Sequence, residues 1–182
     1  MAIGDSMSAD QATIWFAPRN TIGSELAANA KEFTTFVSNF DESGGNRDTE
    51  SIAHFKGAFV TRRKPREQKE LTFDVTLRYG PDSTIFGKIE REEVIPADGN
   101  GDDFKVGMIA IQVTDGSGNY YWKAYNNVNA VVFDGEFSAD EEWKGTLSFN
   151  LSVADQDGDS NVAEDNDDAI ATSLTVWPHT TS

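Results

Sequence analysis

Two stretches of the chain alternate between apolar and polar residues with almost no fault. In Lys144–Val153, Gly145, Leu147, Phe149, Leu151 and Val153 continue a face begun by Trp143, while Lys144, Thr146, Ser148, Asn150 and Ser152 fall opposite. In the segment LTFDVTLRY, Leu71, Phe73, Val75, Leu77 and Tyr79 oppose Thr72, Asp74, Thr76 and Arg78. A period of two sends successive side chains to opposite faces of a sheet, so each stretch is a strand with one dry and one wet face. A chain holding two such strands must place a second layer over the dry side. That predicts a β-sandwich or barrel.

The remaining segments extend the pattern. Further strands are expected at Glu32–Phe40, Ser51–Thr61, Lys105–Thr114, Asn119–Asn126, Ala130–Phe137 and Ala171–Trp177. The run Asp115-Gly116-Ser117-Gly118 marks a tight hairpin turn. Gly80-Pro81 stops a strand, and Asp82 and Ser83 offer caps for a short helix over Thr84–Glu92. Residues 1–30 carry few strand signals and read as an arm, 31–155 as the β-sandwich domain, and 156–182 as an acidic loop plus a last strand of that domain. The expected fold is all-β, sandwich- or barrel-like, with one short flanking helix. At 182 residues one domain is the simplest reading.

Charge narrows the function. The net charge is −16, and it is uneven: residues 1–91 hold 12 Lys and Arg against 13 Asp and Glu, whereas 92–182 hold 3 against 18. So negative a field opposes binding to phosphates. High-salt solvation, calcium binding and acidic surface loops each account for such acidity, and the excess of Asp favours the first. With no cysteine, disulfides and thiolate metal sites are excluded. No apolar run approaches the roughly 20 residues that span a bilayer, so membrane insertion is not expected. The first residues lack the basic and apolar regions of a secretory signal, and Met7 is a possible alternative start.

Candidate chemistry is sparse. Asp155, Asp157, Asp159 and Asn161 space oxygens as calcium loops do, but Ser160 stands where that pattern wants glycine. Asp98, Asn100 and Asp102 repeat the spacing. Solvated acidic loops explain both runs more simply. His54 and His179 are the only histidines, and carboxylate pairs such as Glu141/Glu142 are too frequent in so acidic a chain to nominate an acid and base. No cofactor and no catalytic residue are expected. The aromatics Tyr120, Tyr121, Trp122 and Tyr125 suggest a sugar-stacking platform, yet alternation puts Tyr120 and Trp122 opposite Tyr121 and Tyr125. Arg62, Arg63, Lys64 and Arg66 form the one dense basic cluster, read as the tip of a long hairpin.

Taken in order, these features resemble the major tail tube protein of long-tailed viruses with non-contractile tails. The resemblance rests on the polar arm, the charged hairpin between Ser51–Thr61 and Glu70–Tyr79, and the helix after FDVTLRYGPDS. It rests also on the paired strands VGMIAIQVTDGSGNYYWKAYNNV and the phrase VVFDGEFSADEEWKGTLSFNLSV, and covers about residues 31–155. It implies a structural virion protein made in the host cytoplasm and placed in the tail. Six copies would close into a ring with a continuous β-barrel, and rings would stack into a tube that meets tail-tip and head-proximal proteins. Genome DNA would pass the lumen unbound. The acidity points to a halophilic host, an archaeon. On this reading Arg62, Arg63, Lys64 and Arg66 contact the next ring, while Thr72, Asp74, Thr76, Thr146, Ser148 and Asn150 face the lumen. The arm and the segment after Val153 would order through neighbouring copies. The alternative is a carbohydrate-binding or adhesin-like β-sandwich, stabilised by calcium.

Overall fold

A computed structural model describes residues 12–21, 25–44, 49–53, 59–63, 67–77, 84–114, 120–136, 139–140, 142–151 and 162–165. Among the described residues there are eleven strands, two short α-helices and a 3-10 turn over Thr34–Phe36. One sheet has five strands in the order β11 (Val162–Asp165), β8 (Tyr120–Asn126), β7 (Met108–Thr114), β1 (Ala12–Ala17) and β2 (Lys31–Glu32). A second has four, in the order β3 (Val37–Ser43), β6 (Glu70–Thr76), β10 (Lys144–Leu151) and β9 (Val128–Glu136). The pair β4 (Thr49–Ala53) and β5 (Phe59–Arg63) stands as a separate hairpin. All pairings are antiparallel. The all-β sandwich expected from the alternation is the fold observed.

The main core fills the space between the sheets. Leu71, Phe73 and Val75 of β6 and Leu147 and Phe149 of β10 meet Ile14 and Phe16 of β1, Ile109 of β7 and Tyr125 of β8. Phe16 is the hub, stacking on Phe33 and meeting the edges of Phe73 and Phe149. Such tilted and edge-on pairs suit the ring quadrupole and add to simple burial. Helix α2 (Ile85–Glu90) closes this core by burying Ile85, Phe86 and Ile89. With six residues it is too short to be stable by propensity and is held by that packing.

The five-stranded sheet is covered on its far face as well. Ala17, Met108, Ala110, Trp122 and Ala124 pack there with Leu26 of helix α1 (Leu26–Asn29) and with Ala30. Trp15 stacks on Trp122, with centroids 5.5 Å apart. Strand β8 reaches β3, an edge strand of the four-stranded sheet. Its Lys123 and Tyr125 touch Glu42 of β3, and Asn127, in the left-handed region at φ 62°, then turns the chain into β9 at the opposite edge.

Several expectations change. Ala12–Ala17 was expected in an arm, but it is a strand between β7 and β2 with Phe16 fully buried. Both faces of β1 are packed, so the wet positions that reveal a strand are missing. Ser51–Thr61 is not one strand paired with Glu70–Tyr79. Thr49–Ala53 pairs with Phe59–Arg63 from Thr49↔Arg63 to Ala53↔Phe59, so the chain reverses between Ala53 and Phe59. Arg62 and Arg63 therefore lie at the base of the hairpin rather than at its tip. Within the acidic stretch after Asp155, the backbone of Val162–Asp165 is a strand against β8. The expected strand Ala171–Trp177 lies outside the described residues.

Candidate assembly surface

The four-stranded sheet has one polar face, and register shows what lies on it. Thr146 is opposite Asp74, Ser148 opposite Thr72, Asn150 opposite Glu70 and Lys144 opposite Thr76. The six residues named from alternation, Thr72, Asp74, Thr76, Thr146, Ser148 and Asn150, thus share a face directed away from the core. Their neighbours hold them in place. Thr146 Oγ1 donates to Asp74 Oδ1 at 3.3 Å, Asn39 Nδ2 donates to Asp74 Oδ2 at 3.1 Å, and Ser38 Oγ donates to the Asp74 carbonyl at 3.2 Å. Ser148 sits between Thr72 and Val132 and is only 6% exposed.

The flanking strands change the character of this face. β3 adds Asn39, Asp41 and Ser43, and β9 adds Val132, Asp134 and Glu136. Of the six named residues of β6 and β10, only Asp74 is charged. Assembled, the face carries Asp41, Glu70, Asp74, Asp134 and Glu136 against Lys144. Such a surface repels phosphate rather than holding it. The sheet ends at β3 and β9, neither of which pairs with a further strand among the described residues. At β9, Phe86 of α2 stacks on Phe133, and the Phe133 N–H donates to Glu90 Oε1 across a long 3.4 Å. Edge strands invite pairing with another chain, and among the described residues this sheet has one on each side, the one at β9 partly covered by α2.

A polar cluster fastens β3 to the other sheet. Glu42 points inward, opposite Leu71. Its carboxylate accepts from Lys69 Nζ, from Lys123 Nζ at 2.6 Å and from the Tyr125 hydroxyl at 2.5 Å. Partial burial pushes the carboxyl up, but the bonds from Lys123, Lys69 and Tyr125 outweigh it and hold the pKa at about 2. In sequence Glu42 sat in a turn-rich acidic run. Its partners lie 27, 81 and 83 residues away, beyond any local pattern.

The other candidates separate. Arg62 and Arg63 end β5 opposite Glu50 and Thr49, while Lys64 and Arg66 lie outside the described residues. Asp155, Asp157, Asp159 and Asn161, and both histidines, lie outside them too. Asp98 has a structural partner set: Lys31 Nζ donates to Oδ1 at 2.9 Å and the Glu32 N–H to Oδ2 at 2.8 Å. Both oxygens of that carboxylate are thus engaged in holding the loop to β2. The aromatic platform is not available, since Trp122 and Tyr125 are fully buried in separate clusters. An open cleft of about 260 Å³ near the end of α2 is lined by residues including Arg19, Glu92, Glu93, Lys105 and Asn129. Glu93 there pairs with Arg91 Nε at 2.7 Å.

No protein-family model matches the sequence, and no curated protein matches it. Solved structures do share the fold. A chain of the anti-feeding prophage cap (AFP tube terminating cap) aligns with a TM-score of 0.55 at 14% identity, over 92% of this chain and 95% of that one. A chain of the sheath/tube terminator of an extracellular contractile injection system, PVC, aligns at 0.55 and 12%, over 90% and 99%. A chain of the PVC sheath-tube complex in the extended state aligns at 0.52 and 11%, over 89% and 93%. At these identities the likeness is one of fold.

Proposed function

We propose that this chain is a structural subunit of a viral tail tube, without enzymatic activity. Six copies close into a ring by joining β3 of one four-stranded sheet to β9 of the next, and rings stack into a tube through which genome DNA leaves the virion. One observation carries the reading: the four-stranded sheet has a core face, an acidic polar face and, at β3 and β9, edge strands that pair with no further strand among the described residues. Closing such sheets on each other removes every edge and turns the polar faces inward. A conduit must not hold its cargo, and an acidic, hydroxyl-rich wall leaves DNA phosphates unbound. The shared fold with chains of tube terminators and sheath-tube complexes supports the reading, as does the resemblance to tail tube proteins. The acidity suits a virus of a halophilic archaeon, where salt screens the repulsion between subunits.

A tube-terminating ring is the second reading, favoured by the two terminator structures that share the fold. Negative-stain micrographs of the purified chain at low and high salt separate the possibilities. Sixfold rings with long tubes are the expected result, and rings that never elongate support the terminator. A chain that stays monomeric throughout overturns both.

A further inference from the structure

The backbone of the four-stranded sheet fixes which groups its edge strands leave for a partner. The Leu77 N–H donates to the Trp143 carbonyl at 2.8 Å and the Leu151 N–H to the Lys69 carbonyl at 2.9 Å, both in the register of the β6–β10 pairs. In an antiparallel strand the N–H and C=O of one residue point to one side, and those of the next residue to the other. Glu70, Thr72 and Asp74 therefore bond toward β3, to Ser43, Asp41 and Asn39. By the same alternation Ser148 and Thr146 bond toward β9, to Val132 and Asp134. What remains for a further strand is the main chain of Phe40 and Glu42 on β3 and of Phe133 and Gly135 on β9. The Phe133 N–H agrees with this direction, since it leaves the sheet for Glu90 Oε1. All four stand at core-side positions of the alternation, so a joint between these edges carries the polar face of one copy unbroken into the next.

Rotation about a ring axis keeps β3 of one copy antiparallel to β9 of the next, as the two are within one sheet. Register shifts bound the regular stretches at Asn39–Ser43 and Val132–Glu136, and three registers between them match polar face to polar face over three or more pairs. We propose that Asn39 of one copy stands opposite Asp134 of the next, with Phe40 opposite Phe133 and Asp41 opposite Val132; this rests on the tube reading above. A slip of two residues gives five pairs instead of three, but sets Asp41 against Asp134, and a further slip sets Asp41 against Glu136. Like charges directly opposite are destabilising. The first slip also brings Phe40 to Gly135, where a Cβ would already lie 3.2 Å from Trp143 Nε1 and 3.4 Å from the Phe133 ring. The proposed register has neither fault. Asn39 Nδ2 gives one N–H to Asp74 Oδ2 and has a second for Asp134. Phe40 and Phe133, each partly buried, cover each other and link the Phe40–Phe73 pair of one copy to the Phe133–Phe86 stack of the next.

Because the chain holds no cysteine, introduced pairs read the register directly. Three double variants of the full chain are assembled, oxidised and separated on denaturing gels without reductant: Asn39→Cys with Asp134→Cys, Asp41→Cys with Asp134→Cys, and Asp41→Cys with Glu136→Cys. Directly opposite positions that exchange no hydrogen bond lie about 4.5 Å apart between Cα atoms, within disulfide reach, whereas a slip of two residues takes them to about 7–8 Å. Circular dichroism and negative stain before oxidation check fold and assembly. The first pair should crosslink into a ladder of chains roughly tenfold or more above either other pair. Mixing Asn39→Cys chains with Asp134→Cys chains should stop at dimers. The second pair removes both opposed carboxylates, so its silence is the stringent result. A ladder led by the second or third pair overturns the register and leaves the joint standing. Tubes that ladder with none of the three overturn the joint of β3 to β9 and this inference with it. Wild type that forms no rings overturns the tube reading as well.

Discussion

Among the described residues, β1, β7 and β8 of the five-stranded sheet are packed on both faces, and the four-stranded sheet on only one. Trp122 and Ala110 on the far face of the first are as buried as Phe73 and Phe149 in the central core. The corresponding positions on the second are Thr72, Asp74 and Thr146, partly exposed and bonded to one another or to β3. A single chain can cover both faces of a sheet, as this one shows with α1 and Trp15. The proposed function takes the other sheet, which among the described residues is covered on one face and polar on the other, as the surface that other copies complete.

Truncations give the largest effects and can break the comparison. Phe149→Ala and Trp122→Ala should each cost about 3–5 kcal/mol in denaturant unfolding, because each empties a filled site. Thr72→Ala should shift stability by about 0.5 kcal/mol or less. If Trp122→Ala proved as mild as Thr72→Ala, the sealed face would be no different from the open one.

The Glu42 cluster gives a smaller effect. Glu42→Ala leaves Lys69 and Lys123 part-buried without their shared carboxylate, and should cost about 2 kcal/mol. Its folded pKa lies below the unfolded value of 4.5. The carboxylate's contribution is thus full above about pH 5 and is lost as pH falls from 4.5 toward 2. After allowance for solvent screening it amounts to about 1–2 kcal/mol. Glu42→Gln should flatten the loss of stability over that window, and a pH profile parallel to wild type would rule the cluster out as the cause.

How much of this was visible in the sequence follows from the same contrast. β6 and β10 were legible because each has a wet face, and alternation also placed all six lumen candidates on one side. β1 was not legible, since Trp15 and Ala17 meet protein on the face where a half-wet strand would show polar residues. The hairpin was misread because the run from Arg62 to Arg66 looks like a turn, whereas register puts the reversal before Phe59. Asp41, Asp134 and Glu136, most of the acidity of the polar face, came from β3 and β9, whose positions beside β6 and β10 depend on topology. Glu42 depended on contacts across the two sheets, which no local pattern records.

Smallest in stability but informative on function is a change of sign on the open face. Lysine at Thr72 and Thr76 should alter stability by about 0.5 kcal/mol or less, while making tubes retain DNA in a salt-dependent way. Retention should fall steeply as salt rises. Tubes that release DNA as wild type does would place this face away from the channel.

The central claim is that the open face of the four-stranded sheet lines the tube, and the absence of native cysteine makes it directly measurable. Single cysteines at Thr76 and Asp134 would lie on that face, and one at exposed Ala27 of α1 on the opposite side of the molecule. A maleimide carried on a polymer too large for the lumen would be applied to monomers and to assembled tubes. The account predicts that all three label in the monomer and that tubes label at Ala27→Cys alone. Equal labelling of Asp134→Cys before and after assembly would contradict it.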